Sequence, residues 1–134
     1  MPHVVIHYTD NLGANAAIGE LCGALAEVIV AQRDAAGQRV FPIGGTRVLA
    51  YPAADFAVAD GGPDRTFVFV HARIASGRAP AAVQATGEAL LAVVQKHFAA
   101  IFASRPIGIT LQIDEGAPAF DAKHSNLHPL FEGR

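Results

Sequence analysis

Thr66-Phe-Val-Phe-Val-His-Ala-Arg-Ile74 is the stretch from which the fold can be read. Strand residues alternate between two faces, so Val68, Val70 and Ile74 share one side and Phe67 and Phe69 the other. Both sides carry apolar groups. A strand at a sheet's edge, or with one face in water, does not need that, so the segment belongs in the middle of a sheet.

Working outward, Val4-Val5-Ile6 is a short β-branched run closed by the turn-forming Thr9-Asp10-Asn11, a strand that begins almost at residue one. From about Asn15, Ile18, Leu21, Cys22, Leu25, Val28 and Ile29 recur at spacings of three and four, one face of an amphipathic helix ending by the Asp34–Gly37 region. Val40-Phe41 and Arg47–Tyr51 flank Pro42 and Gly44-Gly45, an extended segment with a bend, and residues 53–64 read as loop. After Ser76-Gly77-Arg78, Pro80 opens a second helix with Val83, Leu90, Leu91, Val94, Phe98, Ile101 and Phe102 expected inward, ending before Pro106. Ile107, Ile109, Leu111 and Ile113 alternate with Gly108, Thr110 and Gln112, a strand with one apolar and one polar face.

The order is strand, helix, strand, twice over. Two βαβ units side by side predict an α+β fold, a mixed four-stranded sheet with both helices on one face. The other face then needs a cover that a chain of 134 residues cannot supply, which points to further copies in closed cyclic symmetry. Composition agrees, since 51 % hydrophobic residues against 16 % charged is more apolar surface than a small monomer hides easily. By size the chain, residues 1–134, is one domain.

A net charge of −2 without a Lys/Arg run lacks the footprint of phosphate-backbone binding, so nucleic acid is not an expected partner. The Met-Pro-His start has neither the basic nor the apolar part of a signal peptide. The longest apolar stretch, taken as Leu90–Phe102, is interrupted by Gln95, Lys96 and His97 and is too short for a bilayer. No membrane partner and a cytoplasmic location are the expectation. Cys22, the lone cysteine, lies on the first helix's apolar stripe as a packed thiol. The pairs His3/His7 and His124/His128 lack a third ligand at a convincing spacing, so no metal is expected. Tyr8 and Tyr51 could line a cleft without an assigned role.

Three residues carry chemistry. Once Met1 is trimmed, as happens readily before a small second residue, Pro2 has a free secondary amine. An α-amino group titrates near 8, and an apolar cleft with arginines nearby lowers that value toward cellular pH, which suits a general base. Arg47 follows Gly45, and Arg78 follows Gly77 ahead of the second helix. Two guanidinium forks facing a cleft would hold a di- or tri-acid bidentately. Taken alone, each also has an ordinary reading: a proline that starts a strand, arginines that are surface charge.

The series as a whole resembles the 5-carboxymethyl-2-hydroxymuconate isomerase family of the tautomerase superfamily. It consists of Pro2-His3, Asp10-Asn11, Phe41-Pro42, Gly45-Thr46-Arg47, Phe67-Val68, Ile74 with Gly77-Arg78, Gly87-Glu88, His97–Ala100, Ser104-Arg105, Glu115 with Pro118, Asn126, His128 and Leu130-Phe131. The resemblance implies a tautomerase-like βαβ-βαβ pseudo-repeat assembled as a homotrimer, with no cofactor. It also implies catalysis by Pro2 as general base, with Arg47 and Arg78 binding a small polycarboxylate. The activity implied is isomerisation of a dienol tricarboxylate to the conjugated ketone, in homoprotocatechuate and hence aromatic-compound catabolism. The segment Asp34–Arg39 is longer than the family's pattern, which could reshape a cleft edge or a subunit contact. Two other classes remain open at this point. One is another reaction on unsaturated acids, a hydratase, decarboxylase or dehalogenase, with Asp114 or Glu115 as the extra carboxylate near Pro2. The other is a non-enzymatic trimeric binding protein.

Overall fold

The computed structural model describes every residue from Met1 to Arg134. The elements run β1 (His3–Thr9), α1 (Ile18–Ala31), β2 (Arg47–Ala53), β3 (Thr66–Ala75), α2 (Pro80–His97), α3 (Ala99–Ser104) and β4 (Ile107–Gly116). The sheet order is β2-β1-β3-β4, with β1 parallel to β2, β3 parallel to β4, and the two central strands antiparallel. Each half is thus a parallel βαβ unit, and the halves meet at β1 and β3. The β3 segment is interior as its two apolar faces require, and α1 and α2 pack together on one side.

The buried core lies between that side of the sheet and the helices. Val4 and Ile6 of β1, and Val68, Val70, Ala72 and Ile74 of β3, meet Leu21, Leu25 and Ile29 of α1 and Leu90, Val94 and Phe98 of α2 and the junction that follows it. Buried polar groups on the central strands are paired, as burial demands. The Thr9 hydroxyl accepts the Phe67 N–H at 3.0 Å, and the Thr66 hydroxyl donates to the Pro106 carbonyl at 2.7 Å.

Three sequence expectations need correction. The second helix is not continuous: Phe98, at φ −95° and ψ 9°, interrupts it, and α3 begins one residue later. Leu91 and Phe102 do not face inward; they are 40 % and 68 % exposed, because the buried row is Thr86, Leu90, Val94 and Phe98, four apart, and Leu91 and Phe102 stand off it. A longer apolar window than Leu90–Phe102 is Ala14–Ala31, 18 residues with mean hydropathy 1.5. Only Ile18–Ala31 of it is α-helix, about 21 Å long against the ~30 Å of a bilayer core, and its inner face is spent on the sheet.

The segment beyond α1 closes on itself. Asp34 accepts N–H groups of Ala36 and Gln38 at 2.9 Å each, and a bridge joins Arg33 to Arg39. After β4 the chain returns across the molecule as a tail from residue 117, ending in a 3-10 turn at His128–Phe131. Gly44, in a 3-10 turn before β2, seats it: a Cβ at that position would lie 2.9 Å from the His128 Cα.

Two outcomes follow from this packing. Leu90→Ala empties a fully buried site and lowers unfolding free energy by about 2–5 kcal/mol, read from urea denaturation. Gly44→Ala pushes against backbone, so hydrogen exchange at the Leu130 amide, which donates to Leu127, accelerates while the β1 and β3 amides keep their protection.

Candidate active site at the head of the first strand

Strand register builds the site. On the core-facing side of β1 the order is Pro2, Val4, Ile6; Pro2 is buried at the head of that row. The parallel ladder sets His3 beside Arg47, and the Arg47 N–H donates to the Pro2 carbonyl at 3.2 Å. The antiparallel ladder sets His3 beside Arg73 on the other flank. Two arginines are therefore fixed on either side of the chain's first residues by backbone pairing alone.

A cleft of about 440 Å³ opens there, with Pro2, Arg47, Arg73, Gly116, Asp121 and Lys123 among its lining residues and the Met1 side chain in it. The Met1 side chain lies against Gly45: a Cβ there would stand 2.8 Å from Met1 Cγ and 3.0 Å from its Sδ. Arg47 is held by a 3.0 Å bond from its Nη1 to the Gly44 carbonyl. Arg78 does not line the cleft. Gly77 turns the chain at φ +104°, and the Arg78 guanidinium then lies 4.6 Å from the Phe41 ring centroid while donating to the Ala75 carbonyl at 2.9 Å.

Its charge is nonetheless felt. The Met1 α-amine has a pKa below its ordinary value near 8, first because burial strips water from the cation. Repulsion by Arg78, then by Lys123 and Arg47, acts in the same direction, and Asp121 opposes it. Arg47, Arg73 and Arg78 have no carboxylate in ion-pair range; Lys123 has Asp121. The surroundings of the N-terminus thus hold four cationic side chains and one anionic one, a field for a polyanionic ligand.

Residue reasoning on the sequence found Pro2, Arg47 and Arg78 but missed Arg73, Lys123 and Asp121. Arg73 was within reach, since alternation along β3 puts it in line with His71 and Phe69, away from the core. The tail residues carried no periodic signal. Asp114 and Glu115 do not line the cleft, and Asp114 instead pairs with His71 at 2.5 Å on the uncovered sheet face. Tyr51 stacks on His7, 6.0 Å between centroids, and Tyr8 packs against the core, so neither is a cleft residue. Nor does the Asp34–Arg39 segment contribute to the lining. Cys22 is half-buried against the core, which raises its thiol pKa. No group of three or more His, Cys, Asp or Glu side chains converges to hold a metal ion.

Comparison with known proteins places this geometry. The family model described as 5-carboxymethyl-2-hydroxymuconate isomerase matches residues 2–131. A 5-carboxymethyl-2-hydroxymuconate Delta-isomerase from Escherichia coli is 31 % identical over 132 residues, covering 98 % of this chain and all of that protein. A crystal structure of a 5-carboxymethyl-2-hydroxymuconate delta-isomerase superposes with TM-score 0.94 at 40 % identity, over 100 % of this chain and 95 % of that one. A 5-carboxymethyl-2-hydroxymuconate isomerase from Deinococcus radiodurans R1 gives 0.88 at 36 %, over 98 % and 94 %. Farther off, a fused 4-OT symmetric trimer at 22 % identity and TM-score 0.56, over 98 % and 99 %, shares the fold alone. The chain belongs to the 5-carboxymethyl-2-hydroxymuconate isomerase family and is an isomerase.

Proposed function

We propose that this isomerase converts the dienol 5-carboxymethyl-2-hydroxymuconate to its conjugated ketone, with Pro2 as the base. The observation that carries the reading is the start of the chain itself: Pro2, buried and bonded to Arg47, heads β1 in a cleft whose cations depress the terminal amine. Removal of Met1 clears the space against Gly45 and turns the Pro2 amide into a secondary amine. That amine would stand beside the same cations and partly out of water, both of which favour the neutral form a base needs.

The neutral nitrogen takes the proton from the 2-hydroxyl. The C2–O bond becomes a carbonyl, the C2=C3 pair moves to C3=C4, and the C4=C5 pair takes up a proton at C5 from the same nitrogen. One group suffices for both transfers because the proton it gains in the first it gives up in the second. Arg47 would hold a substrate carboxylate through its guanidinium fork, and Arg78, behind Phe41, would stabilise negative charge building on the oxygens. The place of the reaction in the catabolism of homoprotocatechuate, and a cytoplasmic location, belong to the same proposal.

The working form is a homotrimer. The sheet face away from the helices presents Val5, Leu49, Tyr51, Phe67 and Phe69 without cover; Leu49 is 42 % and Tyr51 50 % exposed. Copies arranged about a closed axis would bury this face, the usual solution for a small sheet covered on one side only. The likeness to a fused trimer of the same fold supports the count.

Three expected outcomes test the proposal. Ultraviolet assay of dienol ketonisation with mass-verified protein lacking Met1 shows fast conversion, which falls by about 10²- to 10⁴-fold in Pro2→Ala and in the Met1-retaining form. Equal rates in all three remove Pro2 from the chemistry. As the base must be neutral, kcat/KM rises with pH to a plateau, its midpoint below the ordinary amine value. Arg78→Ala removes a repelling cation, lets the amine keep its proton to higher pH, and moves that midpoint upward. Light scattering gives three chain masses per particle; a monomer at assay concentration defeats the trimer.

A further inference from the structure

Arg73 and Lys123 enter the cleft from unrelated parts of the chain, and neither has yet been assigned a substrate group. Arg73 projects from the face of β3 opposite the helices and reaches past the end of β4, where Gly116 makes room: a Cβ there would lie 2.7 Å from the Arg73 Nη2. It has no hydrogen bond and no carboxylate partner within the chain. Lys123 comes from the tail, two residues beyond Asp121, with which it pairs, and it keeps 45 % of its side chain exposed. The tail that carries both is seated on Gly44 by His128, so the turn that anchors Arg47 also fixes how Lys123 approaches. A lysine half in water, bound to an acid two residues away, is weakly held and free to exchange that acid for another.

We propose that Arg73 and Lys123 form a second anion subsite of the Pro2 cleft, which takes the carboxylate on the side arm of the substrate. Asp121 is the internal anion that keeps Lys123 in place until the incoming carboxylate replaces it. The subsite rests on the tricarboxylate reading above and deepens it. Arg47 holds the part of the molecule near the reacting oxygen, while Arg73 and Lys123 distinguish a substrate with a third carboxylate from one without. An unpaired guanidinium and an exchangeable ammonium provide what a flexible carboxymethyl arm needs, a fork and a mobile point charge.

The test compares 5-carboxymethyl-2-hydroxymuconate with 2-hydroxymuconate, the dienol dicarboxylate lacking the arm, using protein without Met1. Lys123→Gln and Arg73→Gln each raise KM for the tricarboxylate by about tenfold with kcat nearly unchanged, and alter KM for the dicarboxylate by less than about twofold. Lys123→Arg keeps most of the discrimination. Asp121→Asn removes the competing anion and lowers KM for the tricarboxylate only. Equal losses on both substrates, a loss confined to kcat, or no loss at all overturns the subsite. If neither dienol turns over, the functional reading has failed, and calorimetry still decides the subsite. In that case propane-1,2,3-tricarboxylate binds wild type more tightly than glutarate does, and Lys123→Gln abolishes the difference. Equal affinity of the two anions for wild type rejects it.

Discussion

The pairing of β1 with its two neighbours is the constraint on which the rest of the structure depends. β1 is parallel to β2 and antiparallel to β3, so one short strand fixes three things together. Its even-numbered residues seal the core with Val4 and Ile6. Its odd-numbered residues contribute to the uncovered face. Its first residues are gripped between Arg47 and Arg73. A one-residue slip would exchange the two faces and remove Pro2 from the cleft, so hydrophobic burial of Val4 and Ile6 also guards the site's geometry.

That coupling explains why a cleft with so many like charges can exist. The four cations repel one another, and Arg78, Lys123 and Arg47 also lower the proton affinity of the Met1 amine. The cost is borne by elements that have other reasons to stay in place: the β1–β2 ladder for Arg47, the Phe41 ring and the Ala75 carbonyl for Arg78, the β3 strand for Arg73. Arg78 and Lys123 both stand outside the sheet, and only Lys123 has an acid partner. The field is thus largely preorganised by the fold, which is how electrostatic stabilisation avoids reorganising at the moment of reaction.

The covered and uncovered sides of the sheet serve different ends. The helix side is closed within one chain by aliphatic packing. The far side mixes Val5, Leu49, Tyr51, Phe67 and Phe69 with His3, His7, His71 and Asp114, a surface too apolar for water yet too polar for a single core. Such a mixture suits contact between copies, where aromatic groups pack and polar ones pair. The exposed Phe102 and Leu91 extend the same argument to the edge near β4, where α3 leaves an apolar groove.

What the sequence determined by itself was the set of elements and their faces, because alternation and three-to-four spacing are local properties of the chain. The two apolar sides of Thr66–Ile74 were enough to place β3 inside a sheet, and Pro2, Arg47 and Arg78 stood out through position and neighbouring glycines. Tertiary structure decided what depends on distant residues meeting. The break at Phe98 follows from which aromatic ring fits the core, a matter of packing against α1 and the sheet that periodicity cannot see. Arg73 joins the cleft through a register between strands some seventy residues apart. Asp121 and Lys123 arrive on a tail with no repeating pattern, seated because Gly44 leaves room for the His128 backbone. Spacing along a chain reports which way a side chain faces; only the folded chain reports what it meets there.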